Sequence, residues 1–169
     1  MGDDVLLGIY LNDHLAGAVA GSALAGRLAD AERAWAGAVL DPLAREIQED
    51  QASLREMMAA LGVPVRLYKT LAAWAGEKVS RLKLNGRLVT RSPLSRVVEL
   101  EAMRLGVEGK AAGWRTLRLR AEHDPRLDAA RLDELITRAR EQIDQLERLR
   151  VRAAAETFGG NAEAGEESG

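Results

Sequence analysis

Four polar residues, one on each of four predicted long helices, occupy positions where the spacing of apolar residues predicts an inward-facing side chain. They are His14, Asp50, Glu101 and Gln142. Imidazole and carboxylate groups that meet inside a helical bundle can hold a metal ion, with Glu108 as a further ligand. They can also form a hydrogen-bonded layer that fixes the register of the helices. A buried carboxylate must be paired, and His14 can serve as its partner.

The first helix is predicted from about Asp4 to Asp30. Asn12 and Asp13 are expected to face away from the bundle centre. Glycine inside a helix costs about 1 kcal/mol relative to alanine, so Gly17 and Gly21 suggest close approach of a neighbouring helix. The predicted inward set, at spacings of three and four residues, is Leu7, Tyr10, Leu11, His14, Ala18, Gly21 and Ala25.

The second helix is predicted to begin at Asp41-Pro42, a pair typical of an N-cap and the first helical position. It continues to Leu61, and Gly62 supplies a left-handed stop. Residues 31–40 fit either a loop or a further stretch of helix. The predicted inward set is Leu43, Ile47, Asp50, Leu54, Met57 and Leu61.

A shorter amphipathic helix is predicted from about Val65 to Leu84. Asn85-Gly86 then fits either a hairpin turn or a helix C-cap, and the helical context favours the cap. Residues 78–96 carry six basic residues without an acid, which suggest either an anion or nucleic-acid patch or a solvated connector balanced by acids of the second helix. We favour the connector. The basic residues are Lys78, Arg81, Lys83, Arg87, Arg91 and Arg96.

The third long helix is predicted from Ser92-Pro93 to about Ala121. Gly109 and Gly113 again suggest a close helix contact. His123-Asp124-Pro125 breaks the pattern. The predicted inward set is Leu94, Val97, Val98, Glu101, Leu105, Glu108, Ala112 and Trp114.

The fourth long helix is predicted to begin near 127–130 and to reach about Phe158, with a charged opposite face that should be solvated. Its inward set is Leu132, Leu135, Ile136, Ala139, Gln142, Ile143, Leu146 and Leu149. Residues 1–158 are therefore expected to form one helical bundle domain. Residues 159–169 are acidic and lack an apolar face, so we expect a disordered tail.

The predicted fold class is all-α. Short links make helix pairs 1–2 and 3–4 antiparallel, whereas the connection between helices 2 and 3 is long enough to run the length of a bundle. This layout resembles the ferritin-like superfamily across Val5 to Phe158. The resemblance implies a four-helix bundle with a long helical crossover between helices 2 and 3.

Di-iron members of that superfamily place a Glu on each of two helices and Glu-x-x-His on the other two. On this pattern His14 and Glu101 take the single-Glu positions, and Asp50 and Gln142 take the His positions. The bridging Glu positions are occupied by Ile47 and Ala139. An intact di-iron site is therefore not expected. The remaining metal hypothesis is a reduced site that binds Fe or Mn through His14, Asp50, Glu101 and Glu108.

The amino-acid composition argues against several classes of function. The 169 residues include no cysteine, which excludes disulfides, thiolate metal sites and a cysteine nucleophile. A net charge of −2 and few aromatic residues argue against nucleic acid as a partner. The first helix is interrupted by Asp13 and His14, which argues against a membrane span, and we expect a cytoplasmic protein.

The favoured hypothesis is a non-catalytic bundle with a structural or protein-interaction role and no cofactor. We expect it to form a homo-oligomer, a dimer, and a protein partner is a further hypothesis. The alternative is a metal-binding or redox protein that uses the polar layer. No catalytic residue is predicted, because the serines have no supporting base in the sequence.

Overall fold

The computed structural model describes residues 2–66 and 92–159, which form four α-helices and contain no strand. These helices are α1 (Gly2–Ala31), α2 (Arg33–Ala60), α3 (Pro93–Ala121) and α4 (Ala129–Phe158). The all-α class and the four long helices predicted from the sequence are confirmed. None of the helices in the described ranges is long and apolar enough to cross a membrane.

Local sequence signals set three of the helix ends. The Ser92 hydroxyl accepts a hydrogen bond from the Ser95 backbone N–H at 3.3 Å, and Pro93 follows as the first helical residue. The Asp128 carboxylate caps α4 in the same way, accepting from the Arg131 N–H at 3.1 Å. Gly62, just after α2, has φ of 72°, the left-handed value that glycine adopts without strain.

The predicted start of the second helix is wrong. α2 begins at Arg33, so Pro42 lies inside it, and only Glu32 separates it from α1. The chain reverses at a kink, where Ala36 has φ of −149° and ψ of 23°. The N–H groups of Trp35 and Ala36 both donate to the Glu32 carbonyl, which keeps this tight turn bonded. Pro42 costs α2 one helical hydrogen bond because proline has no N–H.

Each of the four described helices has two neighbours among the other three. α1 lies against α2 and α3, and α4 lies against α2 and α3. At one end of the α1–α3 pair, Tyr10 contacts Thr116, and at the other end Glu32 pairs with Arg96. α1 and α3 are therefore antiparallel.

α2 and α4 are also antiparallel. Arg126, just before α4, donates to the Leu61 carbonyl just after α2, whereas Trp35 near the start of α2 bonds Glu156 near the end of α4. Arg96, in the first turn of α3, also bonds Glu156. The end of α2 and the start of α3 therefore lie at opposite ends of the bundle.

The inward faces of α2 and α4 are largely as predicted. Met57 and Ile143 are only half-buried, but the other predicted inward residues are buried. They are Leu43, Ile47, Asp50, Leu54 and Leu61 on α2, and Leu132, Leu135, Ile136, Ala139, Gln142, Leu146 and Leu149 on α4.

The predicted inward face of α3 is mostly wrong. Of the predicted set, only Val97 and Trp114 are buried. Leu94, Val98, Glu101, Leu105 and Ala112 are exposed. The helix instead buries a second apolar face, formed by Val97, Leu100, Met103, Val107, Ala111, Gly113, Trp114 and Leu117.

α1 is buried mainly through Leu11, Leu15 and Leu28. Among the described residues, the predicted close contacts at Gly17, Gly21 and Gly109 are not seen, since a Cβ at these positions would meet no described atom within 4 Å. Gly113 does make the predicted close contact, with α1.

Other predictions concern the remainder of the chain. Val65 and Arg66 are not helical, so the predicted helix does not start there. Its continuation to Leu84, the Asn85-Gly86 turn or cap, and the tail beyond Gly159 lie outside the described residues. Of the six basic residues near the connection, only Arg96 is within them.

Candidate functional site

The structure brings Asp50 and Gln142 together in the core. Asp50 lies midway along α2 and Gln142 midway along α4, and their side chains are almost fully buried, with residue exposures of 2% and 0%. The Gln142 amide donates to Asp50 Oδ2 at 3.4 Å and to Glu46 Oε2 at 2.9 Å. Half of the predicted polar layer is therefore present as a direct contact between α2 and α4.

A third helix joins this pair through a residue that the sequence did not single out. Lys110 of α3 donates from Nζ to Asp50 Oδ2 and to Gln142 Oε1. Its side chain is only 14% exposed. Lys110 follows the exposed Gly109 and is not one of the predicted inward residues of α3. The spacing of apolar residues therefore did not predict that its side chain would be buried.

Arg138 completes the group from α4. Its guanidinium donates to Asp50 Oδ1 and, at 3.0 Å, to the exposed carboxylate of Glu49. Both carboxylate oxygens of Asp50 are thus bonded to a cation. We call Asp50, Lys110, Arg138 and Gln142 the Asp50 cluster.

The Asp50 cluster holds one carboxylate and two cations, and acidic side chains beside it supply further negative charge. Burial lowers the pKa of Lys110, and the adjacent Asp50 carboxylate offsets part of that effect. Asp50 neutralises one of the two cations, and the carboxylates of Glu46 and Glu49 lie at the margin. Such a group holds three helices in one register, because a shift of any helix would leave a buried charge unpaired.

His14 does not join the Asp50 cluster in any hydrogen bond or ion pair. It lies half-buried between α1 and α3, with its ring centroid 4.4 Å from that of Tyr10. Gly113 makes room for it, since a Cβ there would lie 2.9 Å from His14 Nδ1. Burial lowers the pKa of His14, with a smaller opposing effect from Asp13. His14 is therefore a packing residue of the α1–α3 contact.

The other two predicted ligands are elsewhere. The Glu101 side chain is 50% exposed and lies 3.9 Å from Arg150. Glu108 is half-buried on α3. Glu101 thus lies on the outer side of α3, which corrects its predicted place in the core layer. The reason is that α3 turns its other apolar face inward.

The geometry does not assemble the four proposed metal ligands. In residues 2–66 and 92–159, no group of three or more His, Asp or Glu side chains is arranged to hold a metal ion. Around Asp50 the nearest partners are Lys110 and Arg138, whose positive charge opposes a cation. What the Asp50 cluster can do chemically is pair charges between helices.

A second polar contact, also missed, involves Asn12. This residue is 8% exposed, and its amide donates to the Gly8 carbonyl at 2.8 Å and the Pro64 carbonyl at 3.1 Å. Its carbonyl oxygen accepts from the Arg66 N–H at 2.6 Å. Asn12 therefore ties the chain that leaves α2 onto α1, instead of facing outward as predicted.

A third polar group closes one end of the bundle. The guanidinium groups of Arg96 and Arg152 both lie over the Trp35 ring, 4.4 and 4.5 Å from its centroid. Glu156 accepts from the Trp35 indole N–H at 2.8 Å and from both arginines. Burial alone would raise the pKa of Glu156, but the bonds from Arg152 and Trp35 outweigh it and lower that pKa. The group joins α2, α3 and α4 at that end.

No protein-family model matches the chain, and comparisons with curated proteins and with solved structures give no significant match. The case for its function therefore depends on the geometry described above.

Proposed function

We propose that this chain is a non-catalytic helical bundle of ferritin-like layout that serves as a structural or protein-interaction module. The observation that carries this proposal is that the buried charges of the Asp50 cluster are paired with one another across three helices. Catalytic carboxylates and cations need a face open to substrate. Here both oxygens of Asp50 are bonded to Lys110 and Arg138.

The layout has independent support from helix directions. Neighbouring helices run antiparallel, and α2 ends at the opposite end of the bundle from the start of α3. A connection between these two points has to cover the length of the bundle. These directions support a layout of two antiparallel hairpins joined by one long crossover.

An interaction role is supported by apolar surface that the bundle leaves uncovered. Leu94 and Leu105 on α3 are 51% and 67% exposed. Leu6 and Ile9 on α1 are 66% and 56% exposed. Large exposed aliphatic side chains that recur along one helix are typical of surfaces that meet another protein.

Elemental analysis of the purified native protein tests this proposal against the metal-binding alternative. We expect no stoichiometric Fe or Mn. One ion per chain that disappears in a His14→Ala, Glu101→Ala double variant would overturn the proposal. An Asp13→Ala variant is the matched control, because Asp13 is an exposed acid beside His14 that belongs to neither hypothesis.

A further inference from the structure

The seam between α1 and α3 has open space beyond the contact of His14 with Gly113. Two glycines of α1 lie three and seven residues after His14, on the same side of the helix, and one glycine of α3 lies four residues before Gly113. Because the two helices are antiparallel, all three glycines lie along the same seam. A Cβ added to any of them would meet no described atom within 4 Å. We call these residues the glycine groove: Gly17, Gly21 and Gly109.

Where α1 borders the glycine groove, the helix is apolar on every side. Residues 15–26 include no charged residue, and Ser22 is the only one with a polar side chain. A helix that is apolar all round is typical of one enclosed by other elements. Residues 17–24 are nevertheless only half-buried or exposed. The described helices therefore leave this stretch of α1 partly uncovered.

The two ends of the connection between α2 and α3 lie beside this seam. After α2, the chain is held on α1 by the bonds of Asn12 to Pro64 and Arg66. In the first turn of α3, Arg96 bonds Glu32, just beyond the other end of α1. The connection therefore starts on α1 next to the glycine groove and ends at the far end of the α1–α3 pair.

The length and route of the connection also fit the seam. α1 rises about 30 Å between Asn12 and Glu32, and residues 67–91 would span about 37 Å as a helix. Within the described ranges α2 and α3 are not neighbours, so a connection between them passes over either α1 or α4. The exposed side of α4 is charged, with Arg140 and Asp144 among its residues, whereas α1 beside the groove is uncharged. Burial of apolar side chains therefore favours the route over α1.

We propose that residues 67–91 lie along the glycine groove, with their apolar side chains against α1 and α3. These side chains recur at spacings of three and four residues, which places them on one side of a helix. Large side chains pack closely where the facing residues are small, and this contact offsets the cost of glycine within a helix. The inference goes beyond the proposed function, because it assigns the groove an occupant from within the chain. The apolar set is Leu67, Leu71, Trp74, Ala75, Val79 and Leu82.

Cysteine crosslinking tests the path of the connection, because the natural chain has no cysteine. Ala72 lies beside the apolar set, and Ala20 is half-buried at the edge of the groove. With a short bismaleimide, we expect Ala72→Cys to crosslink within one chain to Ala20→Cys on α1. It should not crosslink to Arg140→Cys on α4. A crosslink to α4, to both helices equally or to neither, located by mass spectrometry of the monomer, would overturn the proposed path.

Maleimide reactivity at two alanines tests which side of the connection meets the groove. Ala75 belongs to the apolar set, and Ala73 lies on the opposite side of the same helical pattern. We expect the thiol of Ala75→Cys to react at least about tenfold more slowly than that of Ala73→Cys, because a docked group reacts only on local opening. Equal rates would overturn the contact between the apolar set and the groove.

Filling the groove should displace the connection. In Gly21→Leu, we expect trypsin to cleave after Lys78 and Arg81 at least about tenfold faster than in the wild type, because cleavage follows the population of the open form. Ala130→Leu, at an exposed position on α4, is the control and should leave the rate unchanged. A wild-type rate in Gly21→Leu, with an unchanged helical circular dichroism spectrum, would contradict the close contact. None of these outcomes depends on metal content, so this inference can fail while the proposed function stands.

Discussion

The α2–α4 contact and the α1–α3 contact have similar sequence patterns, because each helix carries one polar residue at a predicted inward position. The contacts that these polar residues make are different. On α2 and α4, Asp50 and Gln142 meet in the core and recruit two cations. On α1 and α3, His14 packs against the glycine at 113, and Glu101 lies on the outer side of the bundle. One contact is a buried charged network, and the other is close packing of small and aromatic groups.

The difference is explained by how many apolar faces each helix has. α4 has a single apolar face opposite a charged one, so a polar residue within that face is buried with it. α3 has two apolar faces, and the residues that can turn inward include both Leu100 and Leu105. Glu101 is therefore exposed, because it lies on the apolar face of α3 that does not pack into the bundle. The burial of a polar residue is predictable from spacing only where one face is clearly apolar.

The largest expected effect is from Asp50→Ala. It would leave Lys110 and Arg138 without their shared carboxylate, and breaking a buried pair in this way costs about 3–5 kcal/mol. Because both cations are slightly exposed, at 14% and 21% of the side chain, we expect a loss of about 3 kcal/mol. The measurement is the free energy of unfolding in urea.

Glu49→Ala is the control for this prediction. Glu49 is 55% exposed and pairs with the same Arg138, so its loss should cost less than about 1 kcal/mol. If the two variants lost equal stability, the claim that the α2–α4 contact is a buried network would be contradicted.

Asn12→Ala should have the next largest effect. It removes the bonds to the Gly8 and Pro64 carbonyls and to the Arg66 N–H, and a buried group left unpaired costs about 1–3 kcal/mol. Asp13→Ala, at an exposed neighbouring position, should change the unfolding free energy little. Similar values for the two variants would mean that α1 gains no stability from polar contacts.

Gly113→Ala tests the close packing of α1 on α3. The new Cβ would lie 2.9 Å from His14 Nδ1, and overpacking costs about 1–3 kcal/mol, offset in part by the better helix propensity of alanine. Adding His14→Ala should recover the loss. Gly106→Ala, which meets nothing within 4 Å, should stabilise the protein slightly in thermal unfolding. A stabilising Gly113→Ala would show that this contact is not tight.

The smallest effect is the pH dependence due to His14. Its pKa is lowered in the folded state by burial, so the unfolded chain binds the proton more readily between that lowered pKa and 6.5. The stability from neutral His14 is therefore complete above pH 6.5 and falls as pH falls through the lowered pKa. Relative to His14→Gln, the wild type should lose unfolding free energy on acidification. Parallel curves would indicate a solvated His14.

Sequence patterns predicted part of the polar architecture and missed the rest for identifiable reasons. Asp50 and Gln142 could be found because each interrupts an otherwise apolar face. Lys110 could not be found, because a lysine beside Gly109 on α3 is expected to lie at the surface. Its burial depends on Asp50, which is on another helix. Asn12 could not, because its partners at Pro64 and Arg66 are distant in sequence.

By itself, the sequence determined the starts of α3 and α4 and the end of α2, since Ser92-Pro93, Asp128 and Gly62 act through bonds and backbone preferences within a few residues. It also determined the inward face of α4, which has only one apolar side. Only the tertiary structure decided which face of α3 is buried and whether His14 meets Asp50. Those outcomes depend on which neighbouring helix offers the matching shape and charge, and residue spacing within a single helix carries no information about that.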